Sequence, residues 1–207
     1  MQEIQFQLTE DGSHTLYLPE MDEHYHSVHG AVQESRHVFI RAGFDACLSQ
    51  SPRIFEVGFG TGLNALLTAL EAEKSQRNVA YTSVELYPLS PDQAGQLNYG
   101  AMLDADSLFA GLHDAAWNEW RSISPWFDLK KVEADFSVMP MSENEYDLIY
   151  FDAFAPNKQE DLWKPEIFDR LFHSLKPGGV FVTYCAKGVV RRMLQSSGFL
   201  VERLPGP

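Results

Sequence analysis

Apolar positions recur along this chain at two periods, and the change from one to the other marks its elements. Period-two alternation at Ile4, Phe6 and Leu8 and again from Thr15 to Leu18, around Asp11-Gly12, predicts an N-terminal β-hairpin that acts as a lid or flap. From Glu34 to Phe44 the apolar residues fall at helical spacing, with Gly43 near the end, which predicts a helix packed on the first core strand. That strand is the apolar run from Arg53 to Val57; a dense glycine stretch follows, and then a helix over about residues 63–74. Val79 to Leu86 reads as a second strand and Pro91 to Tyr99 as a helix. Leu103 to Phe127 reads as a helical insertion whose Trp117, Trp120 and Trp126 recur with Leu108, Phe109 and Leu112. Core packing is favoured over a base-stacking platform for these aromatics. Leu129 to Asp135 is a third strand, and Lys130 and Lys131 suggest an exposed edge. Tyr146 to Asp152 has the length and apolarity of a buried strand. Lys164 to Leu175 is an amphipathic helix closed by Lys176-Pro177-Gly178-Gly179, and Val180 to Cys185 is a fifth strand. Lys187 opens the last helix and Gly198 to Leu204 is a sixth strand. Strands alternating with helices predict an α/β, Rossmann-like, mostly parallel sheet with helices on both faces.

No Pro/Gly/Ser-rich linker divides the chain, so a single domain is expected over 1–207. Residues 1–45 form an N-terminal hairpin-and-helix extension and 52–207 the core, with the helical insertion at about 103–127. A hydrophobic content of 44% places the chain among globular proteins. No apolar run reaches the ~18 residues a membrane span needs. Met1 to Phe6 has neither a basic region nor an apolar core of signal-peptide length, which predicts a cytoplasmic protein. Cys47 and Cys185 belong to no Cys-x-x-Cys pair, so neither a disulfide framework nor a zinc site is indicated. His24, His26 and His29 lack the further ligands that would complete a metal site, and no metal is expected; a solvated or substrate-facing loop is the reading taken. The net charge of -13 argues against broad nucleic-acid binding, so a nucleic-acid partner needs a local basic patch. The densest such patch is Lys187, Arg191 and Arg192, which either holds phosphates or is a solvated helix face.

The candidate chemistry gathers at the carboxyl ends of the predicted strands. Glu56-Val57-Gly58-Phe59-Gly60-Thr61-Gly62-Leu63-Asn64 joins a strand to a helix, the form of a nucleotide-binding loop. A dinucleotide fingerprint needs a third glycine where Leu63 stands, and no Gly-Lys-Ser/Thr of a phosphate loop follows. Glu56 would repel a pyrophosphate but suits an ammonium group, so the loop favours S-adenosylmethionine; a tight turn with no ligand is the alternative. Asn64, just inside the helix, is a candidate for the methionine end of that cofactor. Glu85, with the adjoining Leu86, lies where an adenosine ribose presents its hydroxyls, or is a solvated strand-end acid. Asp135 can accept the adenine amino group and Phe136 cover the ring, although a cap at a strand end explains Asp135 as well. Asp152-Ala153-Phe154-Ala155-Pro156 has the shape of the Asp/Asn-Pro-Pro-aromatic turns of amino-group methyltransferases. Asp152 can orient an amine and accept its proton, and Phe154 can stack on a flat ring, with Pro156 stiffening the turn. A structural strand-end Asp is the alternative.

With these residues in place the chain resembles the tRNA 5-aminomethyl-2-thiouridine methyltransferase family, the stand-alone MnmD type and the methyltransferase half of two-domain MnmC enzymes. The likeness runs from about residue 20 to the end. It rests on Tyr25, Ser27, Gly30 and Glu34-Ser35-Arg36, Phe59-Gly60-Thr61-Gly62-Leu63-Asn64, and Glu85 with Pro88-Leu89. Asp152-Ala153-Phe154-Ala155-Pro156 with Trp163, and Gly188 with Val190-Arg191-Arg192, complete it. The resemblance implies a class I methyltransferase that moves a methyl group from S-adenosylmethionine to the amine of 5-aminomethyl-2-thiouridine at the tRNA wobble position. It also implies a separate enzyme supplying the aminomethyl intermediate, and Tyr25, Ser27 and Glu34 bordering the pocket. Family members continue past Pro205-Gly206-Pro207 into a basic last strand, so that closing strand and part of the tRNA-binding charge are expected to be missing here. An aminopropyltransferase of polyamine synthesis shares the fold but would want a further acidic pair along an amine channel; a non-catalytic S-adenosylmethionine-binding module is the other reading.

Overall fold

A computed structural model describes residues 3–206. The hairpin forms as expected: β1 (Gln5–Leu8) and β2 (His14–Leu18) pair antiparallel across Gly12, and a two-residue β3 (Glu23–His24) adds to the other side of β2. The helix that follows, α1 (Ala31–Ser35), continues as a π-helical segment over Arg36–Phe44. It packs on the last two strands of the main sheet and on α2, rather than on the first core strand. Gly43 is the reason for the close approach, since a Cβ there would lie 3.0 Å from the Tyr150 ring and 3.1 Å from Val182.

The core sheet has six strands in the order β6-β7-β5-β4-β8-β9. β4 (Arg53–Val57), β5 (Val79–Glu85), β7 (Phe127–Glu133), β8 (Tyr146–Phe151) and β9 (Leu175–Val182) run parallel, and β6 (Trp120–Ser124) pairs antiparallel with β7. The central strands are apolar on both faces because helices cover both. One face packs on α1, α2 (Leu63–Ser75) and α5 (Asp106–Asp114), the other on α6 (Pro165–Ser174) and α7 (Gly188–Ser196). This is the Rossmann-like arrangement that the alternation of elements predicted.

Four expectations change. The predicted Pro91 to Tyr99 helix is two short ones, α3 (Pro91–Ala94) and α4 (Tyr99–Met102). Asn98 between them accepts from His14 N and donates to the Gly12 carbonyl, each at 2.8 Å, fixing the hairpin to the core. The insertion is helical only through α5. Its second half is β6, because Ser122, Ile123, Ser124 and Pro125 are poor helix formers and Asn118 takes a left-handed φ of 66°. Trp117 and Trp126 pack against the core from loops, and Trp120 is half exposed on β6. β7 is therefore not an edge, and Lys131 is buried, its Nζ donating to the His113 carbonyl at 2.7 Å and lying 4.9 Å from the Trp117 ring. The predicted sixth strand over 198–204 has no pairing partner. Phe199 is anchored on Phe172 and Phe181, while Leu200 is fully exposed. Among the described residues no helix is long and apolar enough to cross a membrane.

Arg77 ties the end of the π-helical segment to the sheet: it donates to the carbonyls of Phe44, Cys47 and Ser49 at 2.7 to 3.0 Å and its guanidinium lies 4.1 Å from the Phe44 ring centre. Arg77→Ala leaves buried carbonyls without donors and should lower unfolding free energy by about 3 kcal/mol, measured by urea titration; a loss within experimental error would show that water replaces the arginine.

Candidate active site

The loop after β4 is shaped by its glycines. Gly58, Gly60 and Gly62 all have positive φ, and at Gly58 a Cβ would stand 2.7 Å from the Asp152 carbonyl oxygen. Parallel pairing of β4 with β8, extended by Asp152 N donating to the Val57 carbonyl at 3.0 Å, brings the loop and Asp152 side by side. Between them opens a cavity of about 760 Å³ at the carboxyl edge of the sheet. Its floor comes from Gly58, Gly60, Asn64 and Asp152, one wall from Glu85, Leu86, Asp135 and Phe136, and its roof from the N-terminal extension through Tyr25, Ser27 and Glu34.

The roof is bonded to both functional loops. Tyr25 lies over Gly60, whose Cβ would come within 3.1 Å of the ring, and meets Phe154 edge-on at 5.1 Å. His26 Nε2 hydrogen-bonds Thr61 Oγ1 at 2.8 Å, and Glu34 accepts from Ser27 N at 3.0 Å. Lys158 Nζ donates to the Met21 carbonyl at 2.6 Å, closing the roof onto the Asp152 turn. That turn is further held by Trp163 Nε1 donating to the Phe154 carbonyl at 2.7 Å and Tyr184 OH donating to the Ala153 carbonyl at 2.9 Å.

The electrostatic centre is an amide between two acids. Asn64 Nδ2 donates to Asp152 Oδ2 at 2.8 Å and to Glu56 Oε1 at 3.1 Å, and Ser83 Oγ donates to Glu56 Oε2 at 2.6 Å. Burial pushes Asp152 up to about 7, the Asn64 hydrogen bond pulling the other way and the Glu34 charge adding to the rise. Burial likewise pushes Glu56 up to about 8, against the pull of Ser83. Asn64 Oδ1 is buried and has no hydrogen-bond partner in the structure, an acceptor left open beside the cavity lining. Together with a glycine cradle that admits no Cβ at Gly58, this fits the ammonium end of S-adenosylmethionine.

The predicted residues separate into two groups. Tyr25, Ser27, Glu34, Gly58, Gly60, Asn64, Glu85, Leu86, Asp135, Phe136, Asp152 and Phe154 line one cavity. Glu56 lies behind Asn64 with both oxygens engaged, and Gly62 faces Phe59 and His113 rather than the cavity. Pro156 lies outside the cavity lining, and Lys187, just before α7, and Arg191 and Arg192 on it are exposed. Glu85 accepts from Gly60 N and Tyr87 N, both at 3.0 Å, so it braces the loop as well as facing the cavity. Asp135 accepts from Ser137 N at 2.8 Å, and Phe136 is packed against Phe55 with Arg170 over its ring. His24, His26 and His29 bond to Gln7, Thr61 and Glu10 respectively, so they diverge, and among the described residues no group of three metal-ligating side chains is found. Tyr184 and Lys158 were missed; Tyr184 sits just past the end of β9, where the rule that flagged Asp152 also points.

A family model described as S-adenosyl-L-methionine-dependent methyltransferase matches residues 127–207. Over that stretch the chain is similar to S-adenosylmethionine-dependent methyltransferases. The chain is 33% identical, over 95% of its length, to the tRNA 5-methylaminomethyl-2-thiouridine biosynthesis bifunctional protein MnmC of Burkholderia thailandensis, and covers 32% of that protein. It is 31% identical over 89% of its length to the MnmC of Idiomarina loihiensis, covering 34% of it. The chain thus spans about a third of the length of these relatives. In fold it is similar to the crystal structure of MnmC2 from Aquifex aeolicus, with a TM-score of 0.81 at 24% identity over 97% of this chain and 66% of that one. These matches agree with the MnmD/MnmC resemblance read from Phe59 to Asn64 and from Asp152 to Pro156.

Because Glu56 is held protonated in the folded chain from an ordinary 4.5 up to about 8, the unfolded chain ionises first as pH rises. Its contribution to stability is present below pH 4.5 and is lost up to about 8. Glu56→Gln should flatten that decline; thermal midpoints collected across this pH range test it, and an undiminished slope would mean that Glu56 ionises normally.

Proposed function

We propose that this chain is an S-adenosylmethionine-dependent methyltransferase acting on tRNA, methylating the primary amine of 5-aminomethyl-2-thiouridine at the wobble position. The observation that carries the reading is Asp152, a half-buried carboxyl pushed up to about 7 at the end of β8, beside the glycine loop and the Phe154–Tyr25 aromatic pair. The names of the MnmC relatives supply the thiouridine context. When bound, S-adenosylmethionine supplies an electrophilic methyl group, and only a neutral amine has the lone pair to receive it.

Asp152 supports that chemistry in two ways. As a carboxylate it accepts an N–H hydrogen bond, which fixes the amine lone pair in one direction. As a group titrating near neutrality, it can take the proton that the nitrogen sheds on gaining a fourth substituent and pass it to water at the mouth. Asn64 keeps the Oδ2 atom in place, so Oδ1 is the atom that turns to the amine. In this reading Gly58, Gly60 and Asn64 hold the methionine part, Glu85 and Leu86 the ribose, and Asp135 and Phe136 the adenine. Phe154 meets the pyrimidine, with Tyr25, Ser27 and Glu34 closing the pocket over it. Lys187, just before α7, and Arg191 and Arg192 on it stand as phosphate ligands.

The test is incubation with labelled S-adenosylmethionine and tRNA bearing 5-aminomethyl-2-thiouridine, followed by nucleoside analysis; absence of the 5-methylaminomethyl product would remove the reading. The rate should rise with pH through about 7 as Asp152 loses its proton. Asp152→Asn should lower kcat by roughly 10²- to 10⁴-fold while retaining cofactor binding, and an unchanged rate would strip Asp152 of its role.

A further inference from the structure

Most positive side chains in this acidic chain are engaged within the fold. Arg53, Lys74, Arg121, Lys164 and Lys176 are in ion pairs, and Arg77, Lys131, Lys158 and Arg170 bond backbone carbonyls. Arg36, Arg41, Lys187, Arg191, Arg192 and Arg203 are different: all are exposed, and none has an ion pair or a side-chain hydrogen bond among the described residues. Lys130 also has no ion pair or side-chain hydrogen bond among the described residues, but it is half-buried on β7, near the opposite edge of the sheet.

The six lie around a single edge. β9 is the outermost strand on its side of the sheet. The π-helical segment carrying Arg36 and Arg41 covers one face of β9, where Gly43 meets Val182, and α7, with Lys187 just before it and Arg191 and Arg192 on it, follows the strand. The tail that follows α7 crosses between them, starting with Phe199 against Phe181 of β9. It is tied to the π-helical segment by His37 Nε2 on the Pro205 carbonyl at 2.7 Å, with Arg203 in between. Arg36 follows Glu34 of the cavity roof, and Lys187 lies three residues past Tyr184 of its lining, so the edge begins at the cavity mouth. Glu85 and Asp135, at the ends of β5 and β7 on the far side of β4 from β9, also line the cavity and repel a polyanion. Unpaired like charges held together on one edge of a chain with a net charge of -13 call for an external counter-charge.

We propose that the β9 edge is a docking surface for the phosphodiester backbone of RNA, with Arg36, Arg41 and Arg203 as new phosphate ligands beside the α7 cations. The assignment of tRNA as that RNA rests on the proposed function. The surface lets an overall acidic protein approach a polyanion from one direction, with the backbone on the basic edge and an extruded base in the cavity. The salt dependence of binding then counts the phosphates neutralised.

The test is fluorescence anisotropy of labelled tRNA with the full chain over a range of salt concentrations. The triple variant Arg36→Gln, Arg41→Gln, Arg203→Gln should bind roughly tenfold more weakly, with the log–log salt slope reduced by about 1 for each phosphate that is no longer neutralised. Its thermal midpoint should match that of the parent protein, since all three side chains are exposed. Lys130→Gln, a neutralisation of the same sign on the far side, should leave affinity and slope unchanged. Equal affinity and slope in the triple variant, or an equal loss in Lys130→Gln, would overturn the proposal. So would a variant that loses affinity for polyglutamate but not for tRNA, which would make an acidic protein the partner. A parent protein that binds tRNA through this edge but methylates none removes the proposed reaction and keeps the surface; methylation with unchanged binding in the triple variant does the reverse.

Discussion

Two carboxyl groups from neighbouring strands stand on either side of one amide, and the architecture around the cavity follows from keeping them there. Glu56 and Asp152 come together because β4 and β8 run parallel in register and chain continuity places each acid at a strand end. Ionised together in a low-dielectric site, two such groups would repel. Asn64 answers this by donating to both, at the cost of an unfilled acceptor of its own. The glycine loop has to be tight enough for the helix carrying Asn64 to start beneath those acids, which is why Gly58 has no room for a Cβ against Asp152.

Much of this was legible in the sequence because strand ends in an open parallel sheet are predictable positions. The alternation of apolar runs and helices is enough to place Glu56, Glu85, Asp135 and Asp152 at carboxyl ends, and the sheet order then makes them neighbours. What could not be read was the direction of side chains whose partners are remote in sequence. Lys131 looked like an edge lysine because its β7 neighbours alternate normally; only β6, folding back from the insertion, shows that it points inward to His113 and Trp117. The insertion itself was misread because aromatic residues at helical spacing outweighed Pro125 and the serines beside it. Glu56 was placed correctly but understood incompletely, since no local pattern reveals that Ser83 and Asn64 occupy both of its oxygens.

The distribution of charge adds a second level of organisation. The chain is acidic as a whole, and Glu34, Glu85, Asp135 and Asp152 are among the acids that line the cavity. Its exposed, unpaired cations lie on two elements and a tail that flank one strand. On the proposed reading, attraction for the reacting group and attraction for the rest of a large substrate are assigned to different surfaces of one small domain, which lets each be tuned without weakening the other.

Tyr25 illustrates the opposite situation. Its ring rests on Gly60 beneath it and meets Phe154 at its edge, so one side chain is shared by the surface proposed to hold the cofactor and the surface proposed to meet the acceptor. Evolution at this position is therefore constrained twice: a change that reshapes acceptor selectivity also resets the fit of the glycine loop. A lineage adapting to a new acceptor would have to move Tyr25 and its loop together, or leave both alone and vary Phe154.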